Sequence, residues 1–139
     1  VAVDRIIVDA SDLSRLAAAI DESAATAQRD IRPVVQRGAL NIKRGAQKRV
    51  AGIKSAPNYG RTITYDSHET PAGSWAEIGP ETSKQVGGGV RRTPGNLGWL
   101  FEDGTPTSAP IPHMRPALEE EAPRFERALE AVVEKALDL

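Results

Sequence analysis

The chain has 139 residues, 40% of them hydrophobic but only 4% aromatic, and it contains no cysteine. A length of this order fits a single domain with a self-supporting core, and the missing thiols exclude a disulfide framework, zinc–thiolate sites and thiol catalysis. The formal net charge of −1 conceals two poles: residues 29–54 hold eight bases and one acid, and residues 118–139 hold seven acids and three bases.

In chain order, "VDRIIV" at the start is a short β-branched run and predicts a first strand. The longer opening "VAVDRIIVDA" lacks the basic-then-apolar order of a secretory signal. No apolar run reaches the roughly 18 residues that a membrane-spanning helix needs, so synthesis in the cytoplasm without ordinary secretion is expected. Ser11 or Asp12 can cap a helix, since a short side-chain oxygen accepts an orphan N–H there. Leu13, Leu16, Ala17, Ile20, Ala24, Ala27 and Ile31 then recur at helical spacing. Pro33 predicts a break or kink near Arg32. The stripe resumes through Val35, Ala39, Ile42, Ala46, Val50 and Ile53, with Gly38, Gly45 and Gly52 beside it at intervals of seven. Glycine costs about 1 kcal/mol of helix propensity relative to alanine, so these three positions predict a close backbone approach.

Beyond "SAPNYG", the runs "RTITYDS" and "SWAEIG" read as strands joined by the turn-forming "HETPAG". Residues 80–96 have no periodicity and carry a glycine triplet, which predicts a flexible loop. "LGWLFE" alternates, placing Leu97, Trp99 and Phe101 on one strand face, expected to be buried beneath the last helix. That helix carries Phe125, Leu129, Val132 and Ala136 on its apolar side, with Pro123 as its first residue or as a kink after one opening turn. The expected fold is α+β over residues 1–139: an N-terminal strand, a long kinked helix, an antiparallel sheet of three or more strands, and a C-terminal helix.

Groups suited to catalysis are few. The two histidines, His68 and His113, stand in loop contexts with no second ligand at metal-binding spacing. "VGGGV" has no Lys-Ser/Thr behind it and is not a phosphate loop. No enzyme activity and no cofactor or metal is expected. Two charged faces are sharper. At 100° per residue, Arg37, Arg44 and Lys48 form a cationic ridge opposite the apolar stripe. Such a ridge could neutralise nucleic-acid phosphates, although no aromatic is interleaved to stack on bases, so a solvated helix face outweighs a small nucleic-acid-binding protein. Glu126, Glu130 and Glu134 repeat at i, i+4, a spacing at which like charges cost a few tenths of a kcal/mol per pair. The acidic stripe could meet the ridge within one subunit or between copies.

One stretch carries a resemblance. "WLFEDGT" at 99–105, a proline-containing arm, and "PHMRPAL" at 112–118 resemble the tail-completion, or head–tail joining, family of long-tailed bacteriophages. The family's Glu-Phe-Gly-Thr stands here as Glu102-Asp103-Gly104-Thr105, and its aromatic-Leu pair as His113-Met114. Members begin with a long helix whose second half is basic and alanine-rich, followed by a proline-marked turn into strands, here "SAPNYGRTITY". The resemblance implies a structural protein of the virion neck that joins the head connector to the tail as a ring, with sixfold symmetry the family's expectation. Its implied partners are other copies of itself, a head-connector or stopper protein, and a tail terminator or tail tube protein, with genomic DNA passing through the ring without specific binding. The related alternative is a tail terminator that caps the tube. Interface residues implied by the motif are Glu102, Gly104, Thr105, Pro110, Pro112, His113, Met114 and Arg115. Independently of the family, Gly104 permits a positive-φ turn, the prolines pre-order the arm and lower its entropy of docking, and Pro116 suits a first helical turn.

Overall fold

The structure, a computed structural model, describes residues 7, 9, 11–71, 73–82 and 94–138. Its longest element is α1, Ser11–Val50, a helix of 40 residues that passes through Pro33 without the expected break. The missing donor and ring clash of an interior proline cost roughly 3 kcal/mol locally. Tertiary contacts flanking Pro33 oppose that cost: Asp30 binds Lys135 at 2.7 Å, Arg32 binds Glu69 at 2.9 Å, and Gln28 donates to the Thr70 carbonyl at 3.0 Å.

After α1 a 3-10 turn, Tyr59–Thr62, leads into the antiparallel hairpin of β1, Ile63–Thr70, and β2, Gly73–Pro80. The register runs from Ile63↔Pro80 to Thr70↔Gly73, so the expected two strands are present and their connection is tighter than "HETPAG" implied. The third strand is not. Leu97–Glu102 is helical: a 3-10 turn, Pro94–Leu97, feeds α2, Gly98–Asp103. Alternation and helical spacing coincide in so short a run. Leu97 and Phe101, four apart, face the core, whereas Trp99 points outward and is 66% exposed. Of the expected N-terminal strand, Ile7 and Asp9 carry no strand pairing, and the rest of residues 3–8 lies outside the described residues. The expected α+β sheet is therefore corrected to a helix-rich fold of α1, α2, α3 and one two-stranded hairpin among the described residues. The glycine triplet of the expected loop falls within residues 83–93, outside the described residues.

The last helix, α3, spans Met114–Leu137, so Pro116 does occupy its first turn, but Pro123 lies well inside and not at its start. It packs antiparallel along α1, as Gly45 beside Ala117, Gly38 beside Phe125, and Asp30 bound to Lys135 establish. The hairpin covers the other flank of α1. The core between them holds Ala46, Val50, Ile53, Ala56, Tyr59, Ile63 and Ala117. Leu13, Leu16 and Ile20, the first half of the α1 stripe, stay exposed.

Two of the three glycines lie against α3, and one of them, Gly45, makes the predicted close backbone approach. A Cβ at Gly38 would sit 3.0 Å from the Phe125 ring, and one at Gly45 would sit 3.3 Å from the Ala117 Cβ, while Gly52 faces open space. Gly45→Leu is therefore expected to force α3 off α1 and destabilise the fold by about 1–3 kcal/mol. Gly52→Ala, at a position without positive φ, should stabilise by up to about 1 kcal/mol through the unfolded chain. Urea unfolding of both variants checks the contrast.

Candidate functional site

The C-terminal end of α2, the arm 104–112 and the start of α3 form one unit. A helix begins with N–H groups that have no partner inside the helix. Here the Glu102 side chain, reaching across from α2, takes them all. Its Oε2 accepts from the backbone N–H of His113 at 2.9 Å and of Met114 at 3.0 Å, and its Oε1 accepts from that of Arg115 at 3.0 Å. The next residue, Pro116, has no N–H to satisfy, and Ala117 N–H already bonds the His113 carbonyl at 3.3 Å. The N-cap residue itself, His113, makes no side-chain cap bond; the cap is supplied from eleven residues upstream.

Burial alone would raise the Glu102 pKa, but the three N–H donors and the nearby His113 outweigh it and hold the carboxyl below its usual range. The Phe101 carbonyl accepts from Ile111 N–H, fastening the far side of the arm to α2. Between these ties the chain turns at Gly104 (φ 75°), where a Cβ would lie 2.7 Å from the Pro110 nitrogen, so only glycine fits without movement. Thr105 and Ser108 exchange two backbone bonds of 2.9 and 3.1 Å around Pro106 and Thr107. The arm is thus a folded loop pinned at its base, with residues 106–112 exposed.

Beneath the arm lies a buried relay. His113 is 1% exposed; its Nδ1 is 3.0 Å from both the Ile111 carbonyl and Glu102 Oε2, and its Nε2 is 2.9 Å from the Tyr59 hydroxyl. Two acceptors at Nδ1 place a proton there, and Nε2 pairs with the Tyr59 hydroxyl. Phe101 and His113 both meet the Tyr59 ring edge-on, with centroids 4.9 and 5.3 Å away. Burial, aided by the Glu102 charge, pushes the Tyr59 phenol up to about 12. Since Tyr59 and His113 are both sealed from solvent, no reactive atom of the pair is open to a substrate, and the relay's work is positional.

The implied interface residues therefore divide. Pro110, Pro112 and Arg115 are exposed; Gly104 and Thr105 shape the loop; Glu102, His113 and Met114 turn inward, Met114 against the core. Tyr59 was not foreseen, since a lone tyrosine in "PNYG" carries no spacing signal. The charged faces also divide. Arg37, Arg44 and Lys48 are exposed on α1, and Glu126, Glu130 and Glu134 are exposed on α3, with no ion pair between the two sets among the described residues. Other residues stitch α1 to α3: Arg49 to Glu120 at 2.8 Å, Asp30 to Lys135 at 2.7 Å, and Asn41 to the buried Glu121 at 3.0 Å. The hydrogen bonds from Lys135 and Arg49 hold Asp30 and Glu120 below the usual carboxylate range.

Comparison with protein-family models, curated proteins and solved structures finds no match to this chain.

Glu102→Gln is expected to leave backbone donors poorly paired and to cost about 1–3 kcal/mol at neutral pH. Because the folded pKa is depressed, the carboxylate's contribution is present above its unfolded value of about 4.3 and is lost as pH falls through the lower folded value. Urea unfolding at pH 7 and pH 3 should show the difference between variant and wild type shrinking in acid.

Tyr59 gives the opposite window. Its raised folded pKa makes its contribution complete below about pH 10 and lost as pH rises toward 12. Tyr59→Phe should cost about 1–3 kcal/mol at neutral pH by orphaning His113 Nε2, and alkaline unfolding curves should be flatter for the variant than for wild type.

Proposed function

We propose that this chain is a structural protein of a bacteriophage neck, joining the head connector to the tail as a ring of identical copies. The observation that supports it most is the Glu102 cap. The two motif halves that carry the resemblance, "WLFEDGT" and "PHMRPAL", meet through three hydrogen bonds to one carboxylate. Glu102 and Gly104 form the base of a loop whose exposed tip, with Pro110 and Pro112, is pre-ordered for docking. A joining protein works by presenting a fixed surface that neither head nor tail owns, and a loop pinned at both ends supplies such a surface. Its partners on this reading are neighbouring copies, a connector or stopper protein above, and a terminator or tube protein below.

A second reading has an observation of its own. Arg44, Lys48, Arg49 and Arg124 line a groove of about 520 Å³ between α1 and α3, facing Glu120 and Glu121. Arg44 and Lys48 are exposed there and could contact phosphates of a nucleic acid. The acids on the opposite wall, and the pairing of Arg49 and Arg124 with them, weigh against an anionic occupant.

Deleting the gene from its phage discriminates among the readings. Loss of a joining protein leaves DNA-filled heads beside tails of normal length. Loss of a terminator leaves overlong tails, and loss of a nucleic-acid-binding regulator alters expression or replication while particles that form stay joined. Electron microscopy of the lysate is expected to show separated heads and normal tails; joined, infectious particles would overturn the assignment.

A further inference from the structure

Two exposed charged faces are complementary, and among the described residues no ion pair joins them within one chain. The ridge of Arg37, Arg44 and Lys48 lies opposite the buried stripe of α1, and the Glu126, Glu130 and Glu134 stripe lies opposite the Ala117–Glu121–Phe125 side of α3. Arg44 and Lys48 border the groove between α1 and α3, across from Glu120, and Glu126 borders a cavity against the hairpin, yet all six ridge and stripe residues are exposed. Of the two bases beside the stripe on α3, Lys135 is turned to Asp30 at 2.7 Å, and Arg127, three residues before Glu130, offsets only part of the charge. Three like charges at i, i+4 then stand together at a cost to the isolated helix, which an opposing cationic surface would reverse.

We propose that the ridge of one copy docks on the acidic stripe of the next. At 1.5 Å per residue, Arg37 to Lys48 spans about 16 Å of helix and Glu126 to Glu134 about 12 Å, and the four-residue step Arg44–Lys48 matches the step Glu126–Glu130 or Glu130–Glu134. Val133 and Leu137, 49% and 58% exposed, line a groove with Leu16 and Ile20 of the same chain's α1. Charge sets the register and encounter rate of such a contact. When such a contact repeats head to tail it is heterologous, and it closes into a ring where its rotation allows. The proposal rests on the ring reading for its biological setting, but its test does not.

Four proteins decide it: wild type, a ridge reversal (Arg44→Glu with Lys48→Glu), a stripe reversal (Glu130→Lys with Glu134→Lys), and the two reversals combined. All substitutions lie on exposed faces, and circular dichroism verifies that each variant folds. Sedimentation across a concentration series at low and high salt gives the assembly state. Wild type is expected to self-associate, more weakly as salt rises. Each reversal alone should lose at least about tenfold in association. An equimolar mixture of the two reversals should restore assembly, since each supplies the surface the other lacks, and the combined variant should reassemble by itself.

If both reversals assemble as wild type does, the contact lies elsewhere and the proposal is overturned while the ring reading stands. If the mixture and the combined variant fail to recover assembly, the pairing is also overturned. A monomeric wild type that binds duplex DNA, with binding abolished by the ridge reversal, would overturn it in favour of phosphate recognition.

Discussion

Everything at the C-terminal end of this fold depends on one carboxylate accepting three backbone N–H groups. Without Glu102, α3 would begin with unpaired donors in a half-buried setting, at a cost comparable to several lost hydrogen bonds. The same side chain approaches His113 Nδ1 and so orients the ring whose other nitrogen meets Tyr59 in the core. A single contact thereby ties α2, the arm, α3 and the 3-10 turn before β1 into one body. Gly104 follows from that constraint, because the chain must reverse tightly between the cap and the residues capped.

The long helices are organised by a second division, between charges used inside the subunit and charges left outside. Asp30, Arg49, Glu120 and Lys135 join α1 to α3 on either side of the close contacts at Gly38 and Gly45. Exposed pairs of this kind contribute little individually, and the stability of the contact comes from the apolar seam they flank. The ridge and the stripe are exposed, and among the described residues no ion pair joins them. The first turns of α1 belong in the same category: Leu13, Leu16 and Ile20 continue the line that α3 covers further along, and they remain exposed.

The sequence was legible where one physical signal dominated. The stripe from Val35 to Ile53 is buried or half-buried throughout, and glycine at 38 and 45 marks a close helix contact because nothing else explains its cost in a helix. It was misleading where local and tertiary terms competed. Pro33 and Pro123 are local helix breakers, yet packing along α1 and α3 carries both helices through them. Leu97 to Phe101 satisfied two periodicities, and only the placement of Tyr59 against Phe101 decides for the helix. Glu121 stands in a run of three acids, yet its spacing with Ala117 and Phe125 puts it on the inner side, where Asn41 and Arg124 satisfy it. In the candidate site, Gly104 and Pro116 had mechanisms visible in the sequence. The cap could not be read there, because an acid eleven residues before a helix has no local signature.

Amide hydrogen exchange at His113, Met114 and Arg115 tests the central claim most directly. These are the first N–H groups of α3 and should exchange rapidly unless Glu102 holds them. The account predicts that all three are protected in the wild-type chain at neutral pH and lose protection together in Glu102→Ala, while amides in the middle of α3 remain slow. Rapid exchange of the three in wild type, or protection unchanged by the substitution, would contradict it.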